Sequence, residues 1–588
     1  MQVVQADVVV IGAGGAGLRA AIAAAEHDPK LRIALVSKVL PMRSHTVAAE
    51  GGAAGVTREE DSLEHHFNDT VSGGDWLCDQ DVVDYFVRHC TGELVQLENW
   101  GCPWSRKPDG HVNTRFFGGM SVQRTWFAAD RSGFHILHTL FQTSLKYPSI
   151  RRYDEFFCAE LIVEDARVQG VVAIEIATGE NVVFQCKAVV LATGGAGRVF
   201  RQNTNAGTVT GDGMGLAFRA GAPLRDMEFV QWHPTCLPGT GILMTEACRG
   251  EGAILVNKDG YRYLQDYGLG PLDPWPRPKA MELGPRDRLS QAFWHEQQKG
   301  RTLATPQGPA VHLDLRHLGA SRIHERLPLI AEAAKTFAGI DAVKEPIPVC
   351  PAVHYTMGGI LTNVRTETAL PGLYAAGECA SVGIHGANRL GSNSLVEIVV
   401  FGKVAGESAA EYALSSPHGS KSARGLAQDA AERFLSLLKS EKGERLAVLR
   451  DEMRDAMEAG VGIYRTEQAM KAACAKLAEL RSRYRSGLRL DDHSRAFNTE
   501  WLTAIELGLM LDVAQTMAHS ALERRESRGA HVRLDSYAER DDAGFLRHSL
   551  AHYDRDSAPR IDYLPVTITR SKPRARVYGG AGKQAVLT

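Results

Sequence analysis

The sequence predicts an α/β nucleotide-binding domain of Rossmann-like type, interrupted by an inserted α+β capping domain and followed by a three-helix bundle domain and a small C-terminal domain. Three observations carry this. A short β-branched run, Ala6-Asp7-Val8-Val9-Val10-Ile11, meets Gly12-Ala13-Gly14-Gly15-Ala16-Gly17 and then an alanine-rich stretch, Leu18 to Glu26: strand, glycine turn, helix. Two similar strand-and-glycine pieces, Ala188 to Gly197 and Gly372 to Cys379, lie far downstream, so the domain is assembled from separated segments. Finally, 588 residues are too many for one core. The expected divisions are 1–230 with 354–416 for the nucleotide domain, 231–353 for the cap, 417–535 for the helices and 536–588 for the C-terminal part.

In the first turn, Gly12 makes the bend, Gly14 lets backbone approach a pyrophosphate, and Gly17 lets helix pack on strand. The pyrophosphate would rest on the helix N-terminus, where free N–H groups favour anions. The second strand, Arg32 to Val36, should end in an acidic residue for an adenosine ribose but ends in Ser37-Lys38. A serine hydroxyl can still bond the ribose, so a dinucleotide remains possible.

The segment Arg43-Ser44-His45-Thr46-Val47-Ala48-Ala49-Glu50-Gly51-Gly52 follows. Paired glycines let backbone approach a flat ligand, and Ser44 and Thr46 offer hydroxyls to its polar edges. A neutral imidazole is a nucleophile, so His45 could bond such a ligand covalently. The bland alternative is a polar loop histidine.

Asp79 to Trp100 reads as an amphipathic helix closed by Gly101, and Leu161 to Phe184 as hairpin strands with a turn at Gly179. The insert carries Gln231-Trp232-His233-Pro234-Thr235, Thr245-Glu246-Ala247-Cys248-Arg249-Gly250-Glu251-Gly252 and Gly284-Pro285-Arg286-Asp287, and rejoins at His354-Tyr355. A cap over a cofactor places the active site at the domain junction. Beyond about 417, Leu446, Leu449, Met453 and Met457 recur at helical spacing, as do Met470, Ala473, Leu477 and Leu480. A third series starts at Leu502, Ile505 and Leu509 and runs to near Gly529. These stripes read as bundle packing rather than a cofactor box. Residues after 535 are polar, end in a loose Gly-rich tail, and are candidates for docking on a partner.

Hydrophobic residues at 44% and charged ones at 23% describe a soluble globular protein. A formal charge of −2 gives no basic field, so nucleic acid is not an expected partner. No apolar run approaches the ~20 residues of a membrane span, and no charged-then-apolar leader opens the chain. This predicts an intracellular protein that meets a membrane only through other chains. The ten cysteines form no CxxC pair, which argues against disulfides, structural zinc or an iron–sulfur cluster held by this chain alone. His135 and His138 sit one helical turn apart, but without an HExxH pattern they read as helix packing, and no metal site is expected.

In their order and spacing these motifs resemble the flavoprotein subunits of quinol:fumarate reductase, in the fumarate reductase/succinate dehydrogenase flavoprotein family. The match runs through Arg43-Ser44-His45-Thr46, Leu191-Ala192-Thr193-Gly194-Gly195-Ala196-Gly197, His233-Pro234-Thr235, Thr245-Glu246, Arg249, Arg286, His354-Tyr355 and His385-Gly386-Ala387-Asn388-Arg389. The resemblance implies FAD in the first domain, with its 8α-methyl attached to His45. It implies cofactor contacts from Gly12, Ala13, Gly14, Gly15, Ala16, Gly17, Ser37, Lys38, Ser44, His45, Thr46, Ala49, Glu50, Gly51 and Gly52. Asp212, His354, Tyr355, Glu378, Arg389, Ser394 and Leu395 complete that set.

The resemblance also implies fumarate or succinate held at the cap interface by His233, Thr245, Glu246, His354 and Arg389. Arg286 would donate the proton, resupplied through Glu246 and Arg249. Histidine is the usual general acid, which makes His233 or His354 the rival donor. Electrons would come from quinol through an iron–sulfur subunit and membrane anchor subunits, at the cytoplasmic face of the inner membrane. Arginine's planar fork suits a carboxylate anchor, independently of the resemblance. Relatives on the succinate side read Ala-Gln-Gly-Gly where this chain has Ala49-Glu50-Gly51-Gly52, which points to fumarate reduction over succinate oxidation. His45 disfavours L-aspartate oxidase, whose FAD is noncovalent, and the Arg and His constellation disfavours a noncatalytic electron carrier.

Overall fold

The computed structural model describes residues 2–272, 276–417, 423–440 and 442–577. The Gly-rich end of the chain and most of the junction after residue 417 lie outside them. A five-stranded parallel sheet organises the first half, in the order Leu373–Ala375, Ala188–Leu191, Val8–Ile11, Ile33–Ser37 and Ile150–Asp154. Its three central strands are buried throughout, as expected for apolar runs covered on both faces. The first helix is Gly15–His27, so the glycine turn itself supplies the opening helical turn ahead of Leu18. The helix Asn393–Ser415 packs along it.

Glycine at two positions is dictated by contact. A Cβ on Gly17 would lie 1.8 Å from the Gly12 carbonyl oxygen, and one on Gly12, at φ +104°, would lie 2.2 Å from that of Ala192. The strands Phe156–Glu164, Arg167–Glu175 and Glu180–Gln185 form an antiparallel meander, extended by Gln2–Gln5. The amphipathic helix spans Gln80–Asn99, with Trp100 as its C-cap and Gly101 at φ +103°.

Strands Val230–Cys236 and Ile347–Thr356, which lead into and out of the inserted stretch, pair antiparallel and continue through Gly308–Asp314 to Ile254–Val256. A hydrophobic core from Leu237 to Cys350 lies on this sheet, with the helix Arg286–Gln298 contributing Leu289, Ala292 and Phe293.

The three helical series form Leu446–Gly460, Glu467–Ser486 and Thr499–Glu523, with the named Leu and Met residues buried. The third ends at Glu523 rather than near Gly529, because Arg524 turns extended to enter a buried ion-pair network with Glu228 and Glu526. A fourth helix, Ala423–Leu437, was not read from the sequence, and it packs on the meander. The C-terminal hairpin, Arg547–His552 with Arg560–Pro565, docks on this chain's own strand Leu224–Arg225. All ten cysteines are buried and free. His138 is exposed beside Phe134 rather than packed, and His135 is half-buried.

Candidate functional site

A cleft of about 340 Å³ opens at the carboxyl ends of the parallel strands, where ligands bind in open α/β sheets. Its walls include Gly12, Ala13, Gly14, Gly15, Ala16, Ser37, Lys38, Ser44, His45, Thr46, Ala49, Glu50, Asp212, His354, Tyr355, Glu378, Ser394 and Leu395. Gly17, Gly51 and Gly52 stand behind it. Gly17 packs on Gly12, Gly51 faces the Phe117 ring, and Gly52 at φ +128° faces the Trp126 carbonyl.

Several walls are already hydrogen-bonded. Gly15 N donates to Thr46 Oγ1 at 3.1 Å. Lys38 Nζ pairs with Asp212 at 2.6 Å and Glu506 at 2.7 Å, tying the helix Thr499–Glu523 to the cleft. Ser37 is buried at the strand end where an acidic residue was expected. Ser44 Oγ and Glu50 Oε2 are buried with no hydrogen-bond partner among the described residues. A narrow glycine-walled cleft with unpaired polar atoms fits a dinucleotide such as FAD.

His45 sits where the short helical turn His45–Ala48 meets the cleft. Ala206 N donates to its Nδ1 at 3.4 Å, and Asn205 Nδ2 stands 3.3 Å from its Nε2. Burial holds the imidazole down at about 4, so it is neutral near pH 7 and keeps a nucleophilic lone pair. Burial likewise pushes the Glu378 carboxyl up to about 7, although Thr356 N donates to it.

Next to this cleft lies a buried charged pocket. Arg286, at the N-terminus of its helix, donates from Nε and Nη2 to Glu246 Oε2 at 2.8 and 2.7 Å. Gly118 N donates to the other Glu246 oxygen at 2.6 Å, and Arg249 Nη2 lies 3.7 Å from it. Burial raises the Glu246 carboxyl, but Arg286 and Arg249 outweigh it and hold it low. Three charged groups therefore form a row, Arg249, Glu246, Arg286. Glu246 and Arg249 lie on a short helix, Glu246–Gly250, which Thr245 caps by accepting from Ala247 N, leaving its own O–H to donate.

Arg389 comes from the loop before the helix Asn393–Ser415. Its Nη1 donates to Ser394 Oγ at 2.7 Å, and its guanidinium lies 4.2 Å over the Tyr355 ring. Burial and Arg286 lower it to about 10. His233 and His354 stand with ring centroids 5.1 Å apart, and His354 Nδ1 meets Thr204 Oγ1 at 2.8 Å. Burial and then Arg286 push both imidazoles well below their usual value, so both are neutral. Arg389 Nε, His233 Nε2, and Arg249 Nε and Nη2 are buried without hydrogen-bond partners among the described residues. A pocket with two guanidiniums, neutral histidines and spare donors is built for a small dianion.

Sequence reasoning missed Gln231. Its buried Oε1 accepts from Arg286 Nη1 at 3.0 Å and Arg389 Nη2 at 3.2 Å, joining two arginines that lie far apart in the chain. It lies two positions before His233 on one strand, and period-two alternation would have placed it on the same face. Asn205, which bridges His45 and the His354 carbonyl, carried no sequence signal.

Two family models match the chain: the FAD binding domain over residues 7–395 and the fumarate reductase flavoprotein C-terminus over 450–578. The fumarate reductase flavoprotein subunit of Proteus vulgaris is 63% identical, covering 99% of this chain and 98% of its own length. The succinate dehydrogenase flavoprotein subunit of Rickettsia conorii is 42% identical over 96% and 95%. A chain of a solved quinol–fumarate reductase with menaquinol molecules superposes with a TM-score of 0.95 at 60% identity, covering 98% of this chain and all of that one. With its FAD-binding cleft and charged pocket, this chain belongs to the fumarate reductase/succinate dehydrogenase flavoprotein family.

Proposed function

We propose that this chain reduces fumarate to succinate as the catalytic flavoprotein of a quinol:fumarate reductase. The observation that carries the reading is the row Arg249, Glu246, Arg286, joined to Arg389 through Gln231, with Arg389 Nε and His233 Nε2 buried and unpartnered among the described residues. We take residues 231–353 as a cap that brings Arg286 to the nucleotide domain, formed by 1–230 with 354–416.

When bound, FAD supplies the hydride, and we assign its covalent attachment to His45. Arg389 holds one substrate carboxylate in its fork, while His233, Thr245 and His354 donate to the other. Neutral histidines can hold the alkene without competing for protons. Arg286 protonates the alkene carbon next to the one that takes hydride, from the opposite face. An arginine is a weak acid, but the carbanion it meets is far more basic, and its fixed charge stabilises that carbanion before the proton moves. The neutral guanidine regains a proton through Glu246, which bonds it directly, and Glu246 is replenished from Arg249.

The chain's electrons would come from quinol through an iron–sulfur subunit held by membrane anchors, at the cytoplasmic face of the inner membrane. No helix among the described residues is long and apolar enough to cross a membrane, and quinol is named for the similar solved complex. Succinate oxidation is the second reading. Glu50 favours reduction, since it lines the cleft at the position where relatives on the succinate side carry glutamine. The test is to compare fumarate reduction with succinate oxidation by the purified complex under matched donor and acceptor conditions. Faster fumarate reduction supports the proposal, and faster succinate oxidation replaces it with the second reading. Quinol turnover by the single chain would remove the proposed partners.

A further inference from the structure

Against Arg389 packs a second buried cluster, Tyr355 with Glu397 and His385, of which the last two have no part in the proposed chemistry. Tyr355 O–H donates to Glu397 Oε2 at 2.8 Å, and His385 Nε2 meets the same oxygen at 2.7 Å. The phenol oxygen also lies 3.2 Å from His385 Nε2, with the two rings edge to face. All three side chains are nearly sealed from solvent, and Glu397 is 2% exposed. They come from separate places: the strand Ile347–Thr356, the loop at His385 and the helix Asn393–Ser415.

A buried carboxylate is costly unless it is fully used. This one grips a tyrosine whose ring face carries the Arg389 guanidinium at 4.2 Å. Donating a proton toward a carboxylate pushes electron density into the phenol ring. That deepens the negative ring face on which a cation rests. Burial, then Glu397 and Glu378, hold the phenol well above its usual value, so Tyr355 stays a neutral donor. Arg389 needs such support. It shares the Gln231 carbonyl with Arg286, a like charge, and its other side-chain contact is the Ser394 hydroxyl.

We infer that Glu397 is a positioning residue for the dicarboxylate anchor: through Tyr355, with His385 fixing its own carboxylate, it sets the height and charge balance of the Arg389 guanidinium. The inference rests on the proposed role of Arg389. Glu397 is not part of the cleft wall and acts through Tyr355, so its effect belongs to binding more than to the chemical step.

The test uses the assembled complex and three variants: Tyr355→Phe, which keeps the ring and removes the donor, Glu397→Gln, which removes the charge, and Arg389→Gln. Malonate, a dicarboxylate that cannot react, is titrated against the flavin absorbance, and KM and kcat are measured for fumarate. Tyr355→Phe and Glu397→Gln should each weaken malonate and raise KM by about tenfold, and Glu397→Gln, whose side chain is not part of the cleft wall, should keep kcat within about threefold and its full FAD content. The double variant should lose no more than the worse single one, since both act through one contact. Unchanged malonate affinity in Tyr355→Phe and Glu397→Gln, with binding lost in Arg389→Gln, overturns this inference alone. Malonate binding that survives Arg389→Gln overturns the proposed function of that residue and this inference with it. Should Glu397→Gln fail to assemble, Tyr355→Phe still decides, because it removes a single oxygen.

Discussion

The cofactor cleft takes much of its wall from glycine, alanine and short hydroxyl side chains, whereas the pocket beside it is built from arginine, histidine and glutamate. At the glycine turn of the cleft, backbone must come close and side chains must stay out of the way. In the pocket, long side chains from distant segments do the binding and must be held in place. Errors in the two regions should therefore fail differently: added atoms break the cleft, and lost hydrogen bonds or charges disable the pocket.

The largest effect should come from adding one carbon behind the cleft, where it would displace the backbone of the glycine turn. Gly17→Ala puts a Cβ 1.8 Å from a backbone oxygen, and the purified protein should retain no FAD by absorbance. Stoichiometric FAD in that variant would remove the glycine turn from the cofactor site. Next comes the pocket. Glu246→Gln can still hydrogen-bond Arg286 but cannot relay a proton, so kcat should fall by about 10²–10³-fold in both directions. Dicarboxylate affinity should change far less. A normal kcat would take Glu246 out of the relay.

A smaller effect is expected at His45, in the wall of the cleft. The denatured unmodified chain should show flavin fluorescence on a gel, and His45→Ser should keep FAD noncovalently and lose that fluorescence. Loss of the electron-withdrawing attachment lowers the flavin potential, so succinate oxidation should fall about tenfold further than fumarate reduction. Release of all FAD from the unmodified enzyme by acid would rule the attachment out.

The smallest effect lies far from both sites and sharpens the comparison by its independence. Burial opposes charge on His548, but Asp226, 2.6 Å from Nδ1, and Asp79, 3.3 Å from Nε2, lift the imidazole to about 8. A folded value above the unfolded ~6.5 means that the proton stabilises the fold. This contribution, about 2 kcal/mol, is fully present below about pH 6.5 and is lost as pH rises through about 8. Hydrogen exchange in Arg547–His552 should speed up across that window, and His548→Gln should flatten the dependence. An equally steep pH dependence in the variant would assign it elsewhere.

The same contrast explains what could be read in the sequence. The cleft was legible because its glycines lie at fixed short spacings and each answers one local steric demand. The charged residues were found one motif at a time, but their joining was not. Gln231 meets Arg286 55 positions away and Arg389 158 positions away, and no local pattern encodes either contact. The helix Ala423–Leu437 was missed because Ala427, Ala430 and Ala431 supply much of its buried face, and alanines make a weak apolar stripe. The sequence marks the C-terminal part as a small domain but not its hairpin, because strand pairing with Leu224–Arg225 is settled by partners hundreds of positions away.

The central claim is that Arg286, and not a histidine, delivers the proton. It is tested most directly by single-turnover reoxidation of the reduced flavin by fumarate in Arg286→Gln, His233→Ala and His354→Ala, each checked for FAD content and fumarate binding. Arg286→Gln should lose about 10⁴-fold, roughly 5.4 kcal/mol of transition-state stabilisation, while still binding dicarboxylate. A near-normal rate in Arg286→Gln, together with a dead histidine variant that still binds fumarate, would contradict the account and move the proton to that histidine.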